Sequence, residues 1–323
     1  MIKEAFQYAL REVTPPSGKR LWLQGEPEST AADVYQPWQR EALIQQQRGC
    51  HVFSDVESID QKYAAVFVQG SKQHEETEGL MAVAFARSQG FVMAVAANDA
   101  GGGRIGKIME SFGVEVHHLS KSKCRIVWTT QAGQADKALV AEKLAELMKM
   151  RQVEIDGENW WSQPGLFGWN KIDPGSALLV HHLPDGLTGK IADFGCGYGY
   201  LSAMLARHYP DIETIDAYDA DARAVACCQR NNGPKVSAIW QDVLTMQAAP
   251  RYDAIVMNPP FHNGKKIDLG LGEGFIRCAW ENLKPNGRLF VVANRHLPYE
   301  HILPEFGVVL EEGAYKLMTG RKP

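Results

Sequence analysis

The chain has no apolar run of about 18 residues, so no segment is expected to cross a membrane as a helix. It also has no excess of positive charge: 34 Lys and Arg face 38 Asp and Glu, for a net charge of −4. Dividing the chain does not uncover one. Residues 1–150 hold 17 basic and 18 acidic side chains, and the remainder hold 17 and 20. Overall charge therefore does not drive nucleic-acid binding, and any RNA-binding face must be local. The six cysteines are scattered apart from Cys227-Cys228, and none has metal-ligand spacing. They read as reduced thiols of a cytoplasmic protein without a metal site. The opening Met1-Ile2-Lys3-Glu4-Ala5-Phe6 lacks the pattern of a secretory signal. What is present is a 45% hydrophobic composition over 323 residues, ample for cores and long enough for two domains.

The most informative segment is Asn258-Pro259-Pro260-Phe261, which follows the apolar run from Tyr252 to Met257. Neither proline can donate to a ladder, so the strand stops there. The residue before Pro259 is held extended. That places the Asn258 carboxamide and a main-chain carbonyl at the mouth of a sheet, two acceptors suited to a substrate –NH2 or amide nitrogen. Phe261 offers a flat face to a planar ring.

A second motif lies upstream. The run Ile191-Ala192-Asp193-Phe194-Gly195-Cys196-Gly197-Tyr198-Gly199 leads into a helical segment from Tyr200 and reads as strand, glycine-rich turn, helix. Alone such a turn is weak evidence for a nucleotide site. Asp219 strengthens it, because it ends the next strand about 20 residues on, where an acidic side chain meets ribose hydroxyls. Asp193 is expected inside the turn, where its carboxylate would repel a pyrophosphate. This favours a cationic or zwitterionic nucleoside cofactor over NAD. Cys196 reads as a small filler.

On these residues the chain resembles a known family. Asp193 to Gly199 resembles the cofactor loop of class I S-adenosylmethionine-dependent methyltransferases, and Asn258 to Phe261 is similar to the motif of amino-group methyltransferases. With Gln163-Pro164-Gly165-Leu166-Phe167, Ile172-Asp173-Pro174-Gly175-Ser176 and His262-Asn263-Gly264, the set resembles bacterial small-subunit ribosomal RNA guanine-N2 methyltransferases of the RsmC type. The likeness covers residues 160–323. It implies S-adenosylmethionine as cofactor and ribosomal RNA or the 30S subunit as partner, with the chain acting as a monomer. It also implies a cofactor site of Phe167, Asp193, Gly195, Gly197, Asp219, Asp242 and Asn258. Asn258, Pro259 and Phe261 would form the catalytic motif, and Phe261, His262, Lys265 and Lys266 would meet the substrate.

The expected architecture is α/β, with two tandem Rossmann-like domains. Residues 1–150 read as a degenerate methyltransferase-like copy that docks RNA or stabilises its neighbour, and 151–323 as the catalytic domain with a seven-stranded sheet. In the first half, strands are expected at 63–68, 90–97 and 125–129 and helices at 76–88 and 104–112, with a helical connector at 131–150. In the second half, strands are expected at 190–194, 214–218, 236–241, 252–257 and 288–293, followed by a C-terminal hairpin. The turn Asn98 to Gly103 could hold a phosphate but reads as a plain turn. The basic cluster Lys121, Lys123, Arg125 reads as solvated surface, whereas Lys265-Lys266 sits where a phosphate backbone would pass.

Several side chains carry two readings. Asp219 could cap the following helix as well as hold a ribose, and Asp242 could meet an adenine amino group or merely end a turn. His262 reads as a hydrogen-bonder rather than a base. Trp160, Trp161 and Trp169 read as packing, and Phe167 as a cover for the methionine end of the cofactor. The same Asn-Pro-Pro motif serves adenine-N6 methylation and glutamine methylation of release factors. A catalytically silent RNA-binding assembly factor is a further alternative.

Overall fold

The segment Ile191 to Phe194 is buried on both sides, the mark of a central strand in a parallel sheet covered by helices. In the computed structural model of the chain, the residues described are 1–260, 262–263, 266–267 and 269–323, without the side chains of His262, Asn263, Lys266 and Ile267. They divide into two units: Met1–Lys149 with Gln163–Gly165, and Met150–Ser162 with Leu166–Pro323.

In chain order the first unit comprises α1 (Ile2–Glu12), β1 (Arg20–Leu23), β2 (Asp33–Tyr35), α2 (Gln39–Gln47), β3 (His51–Phe53) and β4 (Tyr63–Gln69). It continues with α3 (His74–Arg87), β5 (Ser88–Ala97), α4 (Gly103–Ser111), β6 (His117–Lys121), β7 (Cys124–Thr129) and α5 (Lys137–Leu147). Its sheet runs in the order β3-β2-β1-β4-β5-β7-β6. The strands are parallel except for β7, which is antiparallel to β5 and β6. Asp136 caps α5 by accepting from the Ala138 and Leu139 amides. The α3 helix has Glu75 and Glu76 in its first turn and Arg87 in its last, which suits its dipole.

The second unit comprises β8 (Arg151–Ile155), β9 (Glu158–Ser162), α6 (Pro174–His182), β10 (Gly189–Phe194), α7 (Tyr200–His208), β11 (Ile212–Asp219), α8 (Ala222–Asn231), β12 (Val236–Trp240) and β13 (Tyr252–Met257). After these come β14 (His262–Asn263), β15 (Lys266–Ile267), α9 (Leu269–Asn282), β16 (Leu283–Asn294), β17 (Phe306–Glu312) and β18 (Tyr315–Arg321). The sheet order is β12-β11-β10-β13-β16-β18-β17, the same sequence of positions as in the first unit. Only β18 is antiparallel to its neighbours β16 and β17. Strand alternation splits the core in two. Phe194, Ile255, Met257, Leu289 and Val291 pack with α9, while Ile191, Ala254, Val256, Phe290 and Val292 pack with α6 and α7 residues.

The α/β architecture with two Rossmann-like units is thus as the sequence implied, with the seven strands it expected in the second and seven also in the first. The expected strands of the second unit are present, with β11 and β16 longer than anticipated. The segment Met1 to Phe53 carries helices and strands that the sequence reading left undivided.

Candidate functional site

The strand end at β10 places the glycine-rich turn. Gly195, Gly197 and Gly199 take φ of +83°, +55° and +95°, a region where other residues are strained. Gly199 is the residue from which α7 starts. A Cβ there would lie 2.6 Å from Asn232 Nδ2 and 3.0 Å from the Cys228 Cα, so α8 packs directly on the turn. A Cβ at Gly197 would meet nothing within 4 Å, so the turn is open at that point. The Gly195 and Cys196 amides both donate to the Tyr218 carbonyl, at 2.8 and 2.9 Å, which ties the turn to β11. From α8, Asn231 Nδ2 donates to the carbonyls of Tyr198 (2.7 Å) and Trp161 (2.8 Å), and its Oδ1 accepts from the Trp161 amide at 2.7 Å. One side chain therefore holds both the turn and β9.

Asp193 is not in the turn. It is the penultimate residue of β10 and fully buried, a correction to the expected exposed carboxylate. Its Oδ2 accepts from Ser202 Oγ at 2.7 Å, and its Oδ1 is buried without a hydrogen-bond partner. Burial pushes its pKa up to about 7, because the low-dielectric interior disfavours the charged form.

Asp219 ends β11. Its Oδ2 accepts from the Gly197 amide and its Oδ1 from the Asp221 amide, each at 2.9 Å. Burial raises its pKa to about 6 against the lowering effect of those amides. The helix cap expected at Asp219 belongs to Asp221, whose carboxylate accepts from the Arg223 amide and pairs with its guanidinium at 2.6 Å. Asp242 lies just past β12 and accepts from the Leu244 amide at 3.0 Å, capping a short 3-10 turn. Cys196 is a buried filler, its thiol pushed well up by a hydrogen bond to Cys228 and by burial.

Asn258 follows β13, with Pro259 buried and Pro260 exposed. Its Nδ2 donates to Asp173 Oδ1 at 2.7 Å and to Ser176 Oγ at 3.0 Å. Asp173 caps α6, accepting from the Ser176 amide at 3.0 Å, with Pro174 in the first turn. The carboxamide nitrogen is thereby committed to α6, and the oxygen is turned away from the carboxylate.

Phe167 is 67% exposed, in a loop where Gly165 and Gly168 take positive φ. The tryptophans pack as expected. Trp160 is buried edge-on to Tyr198, Trp161 lies under Arg230 and Trp169 under Arg151. Lys121 sits over Tyr8, and Arg125 donates to Ser120 Oγ. Phe261 and Lys265 fall outside the described residues. His262 and Lys266 are described only as backbone, in the ladder of β14 with β15. Among the described residues no group of His, Cys, Asp or Glu is placed to hold a metal, and no helix is long and apolar enough to cross a membrane.

The structure therefore brings the turn residues Gly195 and Gly197 together with Asp219 at the ends of β10 and β11, with Asp193 buried in β10 beneath them. Asn258 lies at the end of β13, which pairs directly with β10. The sequence reading gave no role to Ser202, Asn231 or Tyr315, and it quoted Asp173 and Ser176 only as part of a likeness. The Asp-Pro at 173–174 was a legible helix start, but its contact with a side chain 85 residues away was not.

Residues 158–318 match the family model described as the methyltransferase small domain. Among curated proteins, the chain is 38% identical over 165 residues to the ribosomal RNA small subunit methyltransferase C of Shewanella halifaxensis, covering 49% of this chain and 48% of that one. It is 34% identical over 227 residues to the protein of the same name from Acinetobacter baylyi, covering 68% and 66%. The match spans about half the length of the Shewanella relatives. Among solved structures, the T. thermophilus 16S rRNA N2 methyltransferase RsmC, in complex with AdoMet and guanosine, shares the fold. Its TM-score is 0.78 at 22% identity, over 98% of this chain and 91% of that one.

Proposed function

We propose, from the premise that the chain belongs to the methyltransferase small domain family, that its second unit methylates the exocyclic N2 amino group of a guanosine in small-subunit ribosomal RNA, with S-adenosylmethionine as donor. The observation that carries this reading is the fixed polarity of Asn258. With Nδ2 held by Asp173 and Ser176, the amide oxygen is the end left to meet a substrate, and an acceptor there suits an amino group.

The residues present fit an adenosyl cofactor. The turn at 195–199 lets backbone approach a ligand, and a Cβ at Gly197 would meet nothing, so the space beside it is open. We assign Asp219 to the ribose hydroxyls and Asp242 to the adenine amine, and Phe167, an exposed aromatic, to cover the donor end. When bound, S-adenosylmethionine supplies the electrophilic methyl group.

The chain does the rest by orientation. The guanine N2 lone pair is delocalised into the ring, so the amine is a poor nucleophile. Asn258 Oδ1 and the Pro259 carbonyl accept its two N–H groups, draw the nitrogen toward tetrahedral geometry and aim the lone pair. As the N–C bond forms, the cofactor's S–C bond would break and release S-adenosylhomocysteine; both acceptors stabilise the positive charge growing on nitrogen, whose acidified proton is then lost to water, so no strong base is needed. The base must leave its stack to enter, and Phe261, which falls outside the described residues, is the aromatic we assign to replace a stacking neighbour, with His262, Lys265 and Lys266 on the RNA side.

The first unit serves RNA docking or stabilises the second, and the protein works as a monomer on ribosomal RNA or the 30S particle in the cytoplasm. Incubation of the full chain with methyl-labelled cofactor and 16S rRNA, 30S subunits or protein extract, followed by nucleoside and amino-acid analysis, tests the reading. N2-methylguanosine is expected. Label in N6-methyladenosine or in glutamine would replace guanine by one of the other amino-group acceptors, and no transfer at all would leave an RNA-binding assembly factor.

A further inference from the structure

A primary carboxamide has a donor end and an acceptor end of nearly the same shape, and only one of them serves an amino substrate. Rotating Asn258 by half a turn about its last bond would present Nδ2, a donor, to a donor. Which end faces out must therefore be set by the protein.

We propose that Asp173 is the positioning residue that sets the polarity of Asn258. This deepens the amino-group reading and rests on it. Asp173 Oδ1 stands 2.7 Å from Asn258 Nδ2. In the rotated form the amide oxygen would take that position against a carboxylate oxygen, acceptor on acceptor, with no proton between them. Ser176 Oγ, 3.0 Å from Nδ2, cannot make the choice, since a hydroxyl both donates and accepts. The charged carboxylate also polarises the N–H it receives, which makes the amide oxygen a stronger acceptor.

Asp173 is itself fixed by α6. The Ser176 amide donates to the same Oδ1 at 3.0 Å. From β18, the Tyr315 ring packs against the first turn of that helix. Gly175 makes room for this arrangement. A Cβ there would lie 2.7 Å from the Tyr315 ring and 3.0 Å from Asp173 Oδ1.

The test contrasts two replacements in the full chain. Asp173→Ser keeps a helix cap but is too short to reach Asn258. Asp173→Asn keeps an acceptor that reaches both the Ser176 amide and Asn258 Nδ2. Single-turnover methyl transfer should fall roughly tenfold in Asp173→Ser, the scale of one lost charge-assisted hydrogen bond. It should stay within about threefold of wild type in Asp173→Asn. The KM for RNA and the affinity for S-adenosylhomocysteine should hardly move in either of them. A second readout needs no turnover. The Asn258 side-chain amide signal in 15N NMR, assigned by its loss in Asn258→Asp, should be protected from exchange in wild type and in Asp173→Asn and unprotected in Asp173→Ser. Wild-type rates in Asp173→Ser, equal damage in both variants, or an unchanged amide signal would overturn the proposal. If wild type methylates adenine or glutamine, the guanine assignment fails and the same rate contrast is read on that acceptor. If it methylates nothing, the NMR contrast decides alone.

Discussion

Toward the N-terminal ends of the central strands, each sheet joins a lysine, an aspartate and a tyrosine in the same way. In the first unit, Lys19 Nζ lies 2.8 Å from Asp33 Oδ2, which also accepts from the Tyr63 hydroxyl at 2.7 Å. In the second, Lys190 Nζ lies 3.0 Å from Asp216 Oδ2, which accepts from the Tyr252 hydroxyl at 2.8 Å. Each lysine also lies over its tyrosine ring, at 5.8 and 5.5 Å. These are equivalent positions by register. Leu23 pairs with Tyr35 and Val68, as Phe194 pairs with Tyr218 and Met257. The Gln24 amide donates to Tyr35 as the Gly195 amide donates to Tyr218.

At the other end of the strands the same register pairs unlike residues. Trp22 stands where the second unit has Asp193, Gln24 where it has Gly195, Glu26 for Gly197, Gln36 for Asp219, Val56 for Asp242 and Gln69 for Asn258. Several of these replacements are packed or paired. Trp22 is 1% exposed, stacked on Phe67 at 4.5 Å and edge-on to Phe6 at 4.8 Å. Gly25 runs so close over the indole that a Cβ would sit 2.8 Å from it. Glu26 is engaged by Lys3 and Arg48 at 2.7 and 2.9 Å. The helix before β1 begins without a side-chain cap, so nothing there does for Gln69 what Asp173 does for Asn258. The two sheets share one strand order and the contacts toward the N-terminal ends of the strands, while the residues at the other end differ.

The largest expected contrast is between Asn258 and Gln69. Asn258→Ala should lower single-turnover methyl transfer roughly 10²–10³-fold, by analogy with removal of one oxyanion-hole donor, with cofactor affinity retained. Gln69→Ala should leave the rate unchanged. Cofactor affinity lost with turnover retained in Asn258→Ala would put Asn258 in the wrong site.

A smaller contrast concerns the turns. Gly199→Ala forces a Cβ against the Cys228 backbone at φ +95° and should cost about 1–3 kcal/mol in denaturant unfolding. Glu28→Ala, at the equivalent place in the first unit, should be near neutral.

The buried acid gives a pH signature that the first unit lacks. The Asp193 carboxyl is raised to about 7 in the folded chain, against about 3.9 when unfolded. Between those values the folded state binds more protons, so stability falls as pH rises from 4 toward 7. Asp193→Asn should flatten this slope, and melts at pH 5 and 8 would read the difference. An unchanged slope would mean that Asp193 is ionised in the fold. The smallest effects should come from the shared contacts. Tyr63→Phe and Tyr252→Phe should each cost about 0.5–1.5 kcal/mol, and the double variant about their sum.

The second half was legible because its motifs are local. A strand that ends in Asn258-Pro259-Pro260 and a glycine turn after Asp193 both announce themselves within ten residues of sequence. The first fifty residues were not, because β1 to β3 are three or four residues long and carry no measurable alternation. Asp193 was placed in the turn because it stands two residues before Gly195, whereas β10 runs on through it and buries it. Asp219 was given a cap that Asp221 provides, two residues on. Pairing across long sequence separations, as between Asn258 and Asp173 or between Asn231 and Trp161, leaves no local trace.

The most direct test of one ligand-holding copy beside one filled copy is calorimetric titration of the full chain with S-adenosylhomocysteine. One equivalent per chain is expected, with binding lost in Asp219→Ala and kept in Gln36→Ala. Two equivalents, or binding that survives Asp219→Ala, would contradict it.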